Sequence, residues 1–198
     1  MLTLYHAPQS RSSRILWLLE EASARYQVKI TSIPRMDGSG GPDPENPHPD
    51  KKVPALVDDG VLITESAAIC LYVADKFPSA KLAPAIGDRL RGPYLSWLAY
   101  YAGVVEPVVT IEFAQLAHQP VLERTFRGRP EMNARVLAAL AAGPYLLGDQ
   151  FSAADLLLGS LGHFARTMLP PGQLVDDYLA RISDRPALAR AQRRDATG

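Results

Sequence analysis

The chain has 198 residues, of which 47% are hydrophobic, and its 21 basic and 21 acidic side chains balance at a pI near 6.9. This length allows one domain or two small ones, and the balanced charge gives no indication of nucleic acid or an anionic membrane surface as partner. The single cysteine, Cys70, excludes an intrachain disulfide and a CxxC redox pair.

The chain start gives no indication of export. The stretch MLTLYHAP lacks the basic and long apolar regions of a signal peptide, and no window approaches the ~18 uninterrupted apolar residues of a membrane helix. We therefore expect a cytoplasmic protein of a reducing compartment.

A β-α-β unit opens the chain. Residues 2–6 are predicted to form a short buried strand, residues 12–24 a helix, and residues 26–33 a second strand parallel to the first. The apolar positions of the helix follow the i, i+3, i+4, i+7 spacing of an amphipathic helix: Ile15, Leu18, Leu19 and Ala22.

A long loop and a hairpin follow. Residues 34–52 are rich in proline and glycine, which indicates an irregular surface segment. Two short apolar runs around Asp58-Asp59-Gly60 predict a hairpin, and residues 65–77 predict an apolar helix that ends at Pro78. The first 77 residues thus show a β-α-β-loop-β-β-α order with a small mixed sheet.

The remaining chain is predicted to be helical. A linker at 78–87 precedes a long helical stretch over 88–117, in which Pro107 should cause a kink. Ser152 is the expected N-cap of another helix, with Asp155 at its third position. The other predicted helices span residues 131–142, 173–182 and 186–194.

Three serines, Ser10, Ser12 and Ser13, lie between the first strand and its helix. Capping is the first explanation, because a hydroxyl at the N-cap accepts a hydrogen bond from the first turn. One serine suffices for that role. A helix N-terminus also holds anions and lowers the pKa of a nearby thiol, so a chemical role stays open.

A second group of polar residues surrounds the predicted hairpin. A cis bond before Pro54 would expose the backbone of Val53 to a peptide-like ligand, although most X-Pro bonds are trans. Glu65 and Ser66 open the next helix, where they can serve as a cap or bind an ammonium and a carboxylate together. Lys52 can meet a second carboxylate or remain a plain surface charge.

Three stretches carry a resemblance to a known family: LTLYHAPQSRSSRILWLLEE, NPHPDKKVPALVDDGVLITESAAICLYVADKFP and PYLLGDQFSAADLLLG. The chain resembles the cytosolic glutathione S-transferases, in particular the bacterial-type members, over nearly its whole length. The resemblance implies an α/β plus all-α fold: a thioredoxin-like domain of the β-α-β-α-β-β-α type in residues 1–77, a linker over 78–87, and an all-helical domain in 88–198.

The resemblance also implies glutathione as co-substrate, without a metal. Glu65 and Ser66 would hold its γ-glutamyl end, and the backbone of Val53, before a cis Pro54, would pair with its cysteinyl unit. Lys52 would lie near the glycyl end, with Arg11 as a further contact.

The serine that faces the thiol is inferred from Arg14, which resembles the arginine after the active-site loop of serine-type members. By this match, Ser10 would donate a hydrogen bond to the thiolate. Ser12, Ser13 and the loop backbone alone remain alternatives, as does Tyr5, which lies at the end of the first strand.

The second substrate would be a small apolar electrophile, bound between the domains by Tyr100, Tyr101 and Val105. Packing in the core is the competing explanation for these aromatic residues. Cys70 and His163 are expected to be packing residues.

A glutathione transferase is therefore the expected function. The alternatives are a glutathione-dependent peroxidase or thiol-disulfide reductase on the same fold, and a non-catalytic binding module. The apolar helix at 66–77, together with the family resemblance, predicts a homodimer.

Overall fold

The computed structural model describes residues 1–196, which begin with a four-stranded sheet in the order β2-β1-β3-β4. β1 pairs in parallel with β2 and antiparallel with β3, which in turn pairs antiparallel with β4. The strands are β1 (Leu2–His6), β2 (Tyr26–Ile30), β3 (Ala55–Asp58) and β4 (Val61–Thr64). All four predicted strands, including the mixed directions, are confirmed.

Helices α1 (Ser13–Glu21) and α2 (Ser66–Lys76) accompany this sheet. The apolar residues 15–19 of α1 are buried, and so are Ile69, Cys70, Val73 and Ala74 of α2. The thioredoxin-like class is confirmed. One element of the family pattern is missing: residues 31–54, all of them described, hold only turns and irregular chain between β2 and β3. Prolines at close spacing remove backbone donors and fix φ there, which prevents a helix.

The second half of the chain is helical, as predicted. A π-helical turn, Tyr101–Val105, interrupts the long stretch just before Pro107. Proline has no N–H to offer the carbonyl four residues back, and the wider turn accommodates this loss. The helices are α3 (Arg91–Tyr100), α4 (Glu106–Phe113), α5 (Pro120–Phe126), α6 (Arg129–Ala141), α7 (Ala153–Phe164), α8 (Gln173–Ser183) and α9 (Pro186–Ala196).

The predicted capping of α7 is confirmed. Ser152 is its N-cap, and the Asp155 carboxylate accepts the backbone N–H of Ser152 at 2.9 Å. The same carboxylate accepts the N–H of Leu146 at 2.8 Å, so this buried side chain ties the preceding turn to the helix. None of the helices in residues 1–196 is long and apolar enough to span a membrane.

The chain forms two compact units, and α9 belongs to the first. One unit comprises Met1–Ala80 together with residues 185–196, and the other comprises Lys81–Asp184. The boundary lies within the linker expected at 78–87. The family resemblance implies that α9 belongs to the helical domain over 88–198, but in the structure α9 packs on α1 and buries Ala187, Leu188 and Ala191.

Charged pairs join α9 to α1. Arg185 makes two hydrogen bonds to the carboxylate of Glu21, at 2.5 and 2.8 Å. Glu20 accepts Arg190 Nε at 2.8 Å and Tyr26 Oη at 2.7 Å, and its other contact is Arg194 Nε at 3.0 Å. Burial opposes the ionisation of Glu20, but these donors and charges outweigh it and hold its pKa below the usual value.

Glu20→Gln should therefore destabilise the protein at pH 7. Loss of hydrogen bonds to a charged group costs about 1.5–3 kcal/mol in the free energy of unfolding. Because the pKa of Glu20 is depressed in the folded state, its contribution is present above the unfolded pKa and disappears as pH falls through the folded one. Urea unfolding at several pH values measures this.

The difference in the free energy of unfolding between wild type and Glu20→Gln should thus become smaller below about pH 4.5, near the carboxyl pKa of an unfolded chain. The exposed Glu45 provides the control, since Glu45→Gln should change neither the free energy of unfolding at pH 7 nor its dependence on pH. A difference that stays constant down to the acid transition would contradict this account of Glu20.

Candidate functional site

Three polar segments meet at one end of the sheet. Tyr5 of β1 pairs with Ala55 of β3, and Ala55 pairs with Thr64 of β4. The end of β1, the start of β3 and the end of β4 are therefore neighbours. The serine loop after β1, the chain before β3 and the start of α2 consequently lie side by side.

The loop between β1 and α1 is held by its own hydroxyl groups. Ser12 Oγ accepts the N–H of Ala7 at 3.1 Å and lies 2.8 Å from Ser10 Oγ. Ser10 Oγ donates to the Ala7 carbonyl at 2.6 Å and accepts the Ser12 N–H at 3.1 Å. Ser12 occupies the N-cap of α1 but makes no side-chain hydrogen bond to its first turn. The capping explanation is thus wrong, because these hydroxyls bond within the loop instead.

Behind this loop lies a buried histidine that the sequence analysis missed. His6 Nδ1 is 2.8 Å from Ser12 Oγ, and its Nε2 is 3.1 Å from an oxygen of Asp195. That distance suits an ion pair, although the direction of the ring N–H does not fit hydrogen-bond geometry. Asp195 also accepts Ser13 Oγ at 2.7 Å and the backbone N–H of Gln9 at 3.3 Å.

The environment of His6 favours the neutral ring. Burial lowers the pKa of His6, and the positive charge of Arg35 acts in the same direction. The carboxylate of Asp195 opposes both but does not outweigh them. The local sequence contained one signal: a histidine in the buried register of β1. Asp195 left none, since it is 186 residues from Gln9.

Tyr5 lies on the other face of β1. Side chains alternate along a strand, so Tyr5 points opposite to His6, and its ring lies beneath Lys29 Nζ at 5.5 Å from the centroid. Of the loop serines, Ser12 is fully buried and Ser13 bonds to Asp195, whereas Ser10 is half-buried. The geometry therefore brings Ser10, rather than Tyr5, to the surface of the hydroxyl cluster.

The chain before β3 has the expected backbone form. The Val53–Pro54 peptide bond is cis, as the family resemblance implied. The fully buried Asn46 donates from Nδ2 to the Lys52 carbonyl at 3.0 Å, and its Oδ1 accepts the N–H of His48 at 3.0 Å. One side chain of the irregular segment thus fixes the residues next to Val53, while the Lys52 side chain is exposed.

Glu65 carries the most unusual backbone of the site. Its φ is 67°, a left-handed value that is costly for a residue other than glycine, and it stands directly before the first residue of α2. Such conformations concentrate at ligand sites. Glu65 is exposed and Ser66 half-buried, so both reach solvent beside the free N–H groups of the helix start. Arg11 is likewise exposed.

The remaining candidates lie in the second unit. Tyr101 and Val105 are buried there, whereas Tyr100 is half-buried with the Arg135 guanidinium 3.8 Å from its ring centroid. His163 was expected to pack among apolar residues, but it lies at the surface of α7 with Nε2 2.8 Å from Ser183 Oγ.

Cys70, in the first unit, is a packing residue as predicted. It is fully buried in α2, and burial raises the pKa of its thiol to about 12. A thiol of this kind stays protonated and is not a nucleophile near neutral pH.

Comparison with known proteins agrees with this geometry. A family model described as "Glutathione S-transferase, N-terminal domain" matches residues 1–75. A glutathione S-transferase of Triticum aestivum is 39% identical over 183 residues, which cover 88% of this chain and 83% of that protein. Glutathione S-transferase 3 of Schizosaccharomyces pombe is 26% identical over 214 residues, covering 94% and 85%.

A solved structure points in the same direction. The glutathione S-transferase of a sphingomonad, complexed with glutathione, has a TM-score of 0.78 at 25% identity and covers 99% of this chain and 100% of that one. The chain that carries this sheet, the serine loop, the cis proline and the strained start of α2 is thus similar to glutathione S-transferases of Triticum aestivum and Schizosaccharomyces pombe. The protein belongs to the glutathione S-transferase family.

Proposed function

We propose that the protein is a glutathione transferase, which ionises the thiol of glutathione for attack on small apolar electrophiles. The observation that carries this proposal is the meeting of β1, β3 and β4 at one end of the sheet. It places a hydroxyl-bearing loop, a backbone before a cis proline and a helix N-terminus side by side. A tripeptide with a thiol at its centre needs these three contacts.

Each part of glutathione has a partner at this end of the sheet. The carboxylate of Glu65 accepts from the γ-glutamyl ammonium, and Ser66 with the first N–H groups of α2 holds the neighbouring carboxylate. The backbone of Val53 pairs with the cysteinyl unit. Lys52 and Arg11 supply positive charge for the glycyl carboxylate and the rest of the tripeptide.

The chemical step is stabilisation of the thiolate. A free thiol has a pKa near ~8.5, so little of it is ionised at neutral pH. A hydrogen bond from Ser10, together with the positive end of α1, lowers that pKa and supplies the nucleophile. In the unliganded structure the Ser10 hydroxyl donates to Ala7, so it must turn to serve the thiolate.

Ser10→Ala should raise the pKa of the bound glutathione thiol. Loss of a hydrogen bond to a charged group is worth roughly 1.5–3 kcal/mol, or about one to two pKa units. Ultraviolet absorbance of the thiolate, titrated against pH, measures the shift. Tyr5→Phe is the matched control and should leave the titration unchanged; a reversal of the two results would assign the thiol contact to Tyr5.

Glu65→Gln should weaken glutathione binding while leaving the thiol pKa in place. The variant keeps the size of the side chain but loses the charge that faces the ammonium, a loss of about 1.5–3 kcal/mol or roughly 10- to 150-fold in Kd. Calorimetry gives the Kd, with Glu123→Gln, at an exposed position of the second unit, as control. An unchanged Kd would remove Glu65 from the site.

For the electrophile we retain Tyr100, Tyr101 and Val105 as the pocket residues. Tyr100 is half-buried, so its ring is open to direct contact, whereas Tyr101 and Val105 are buried and would act through packing. Activity with an activated aryl halide tests the transferase, and hydroperoxide reduction tests the peroxidase alternative. The serine loop has no cysteine for thiol-disulfide exchange, and Cys70 is inert. Failure to bind glutathione would favour a non-catalytic module.

We also infer a cytoplasmic homodimer. The proposed co-substrate is a thiol that must stay reduced, which the cytosol provides. Among the exposed and half-buried positions of α2, Ala67, Ala68 and Leu71 are apolar and suit a two-fold contact.

Light scattering at micromolar concentration should therefore give about twice the chain mass of 21.6 kDa. Leu71→Glu should shift the mass toward the monomer, because it places a charge in the apolar contact. Asp75→Glu, which preserves the charge on the same helix, is the control. A wild-type mass of one chain would contradict the dimer.

A further inference from the structure

His6 is a buried ionisable group that the proposed transfer does not use. Its side chain and that of Ser12 are fully buried, while Ser10 is half-buried. From Asp195 a chain of contacts runs through His6 and Ser12 to Ser10, with successive distances of 3.1, 2.8 and 2.8 Å. We call these four residues the relay. One end is the carboxylate of Asp195, which is 20% exposed, and the outer end is the hydroxyl expected to face glutathione.

The contacts of His6 determine where its proton lies. The negative charge of Asp195, 3.1 Å from Nε2, favours a proton on that nitrogen, although the N–H does not point at the carboxylate in hydrogen-bond geometry. Nδ1 is then an acceptor, and the Ser12 hydroxyl can donate to it at 2.8 Å or to the Ala7 carbonyl at 3.2 Å; the relay uses the first orientation. Ser12 Oγ in turn accepts from Ala7 N–H and lies within reach of the Ser10 hydroxyl. In this arrangement, each member of the relay can accept one proton from its outer neighbour.

Resting on the glutathione transferase function above, we propose that the relay takes up the proton of the glutathione thiol. The S–H bond breaks as its proton bonds to Ser10 Oγ, and sulfur keeps the electron pair as thiolate. The former Ser10 proton passes to Ser12 Oγ, and the former Ser12 proton passes to His6 Nδ1. His6 becomes an imidazolium paired with Asp195, and the new Ser10 O–H points at the thiolate.

This step requires one small rearrangement before it begins. The Ser10 hydroxyl, which donates to Ala7 at 2.6 Å, must turn to Ser12 Oγ at 2.8 Å. Both acceptors are within hydrogen-bond distance of the same oxygen, so rotation of the hydroxyl redirects its proton. The lone pair left behind faces the Ala7 carbonyl, and Ser12 N–H occupies another, so the Ser10 side chain must also rotate slightly to turn an acceptor toward the thiol.

The charges around His6 favour a ring that is neutral before glutathione binds and can then accept a proton. Burial lowers the pKa of His6, and so does Arg35, whose guanidinium donates to the Pro8 carbonyl at 2.7 Å. Asp195, on α9, opposes them and is the anion available to an imidazolium. The ring is therefore neutral before glutathione binds, and the thiolate adds negative charge at the outer end when the proton arrives.

The same contacts exclude a direct nucleophilic role for Ser12. Its position next to His6 and Asp195 follows the Ser-His-Asp order of hydrolases. Because Ser12 is fully buried, no substrate carbonyl can reach its hydroxyl. The relay therefore ends at Ser10 and serves a nucleophile that the ligand brings.

The proton balance of glutathione binding tests the relay. Calorimetry at pH 7 in buffers of different ionisation enthalpy counts the protons released, and S-methylglutathione, which has no thiol proton, provides the reference. We expect wild type to show thiolate absorbance while the two ligands differ by close to zero protons. A difference of about one proton per site would mean that the thiol proton goes to solvent, and would overturn the relay.

Variants test whether His6 is the group that accepts the thiol proton. Asparagine can hydrogen bond but is no base, so His6→Asn should raise the thiol pKa by about one unit or more. At a pH where its thiolate forms, this variant should release about one proton per site. Asp195→Asn, which removes the charge beside the imidazolium, should release a fraction of a proton per site that lies between the values of wild type and His6→Asn. His163→Asn is the matched control, since His163 also lies 2.8 Å from a serine hydroxyl and should keep the wild-type balance.

The outcomes separate the two proposals. Wild type that does not bind glutathione overturns both the transferase function and the relay. Binding and thiolate formation with release of one proton leave the transferase function intact and overturn the relay alone. Binding without thiolate absorbance overturns the ionisation of the thiol, on which both proposals rest. Circular dichroism checks that His6→Asn folds; if it does not, the wild-type balance and Asp195→Asn decide.

Discussion

The carboxylate of Asp195 fixes the loop on which the rest of the site depends. The segment between β1 and α1 has no regular structure, and Gln9 within it takes a left-handed φ of 54°. Asp195 accepts the backbone N–H of that strained residue and the hydroxyl of Ser13, and it faces His6. A loop that bends this sharply needs acceptors placed from outside, because its own backbone pairs few of its N–H groups.

The position of Asp195 is in turn set by the packing of α9. Arg185 and Arg190 bind Glu21 and Glu20 of α1, so the helix that carries Asp195 is fastened to the helix that follows the loop. The loop and the helix that follows it are therefore both bound by side chains of α9. This explains why α9 belongs to the first unit although a boundary by chain order places it with the second.

Local patterns were sufficient to predict most of the first unit and part of its site. Strand and helix periodicity predicted β1 to β4, α1 and α2, and the residue types around Pro54 and Glu65 indicated a peptide-like ligand. What failed depended on distant contacts. Nothing near Asp195 marks it as a partner of Gln9, and the Ser12 hydroxyl looks like a cap until His6 is seen beside it. The π-helical turn before Pro107 likewise requires knowledge of the whole helix, not of one proline.

The three serines of the loop are not repeats of one role. Ser13 binds Asp195 and so joins the loop to α9, whereas Ser12 is buried against His6 and joins it to β1. Ser10, which is half-buried, bonds to Ser12 on its inner side. Two of the hydroxyls thus use their hydrogen bonds to hold the third in place. A hydroxyl fixed in this way loses little freedom when a ligand binds, and it can therefore give more of its hydrogen-bond energy to a thiolate than a mobile one would.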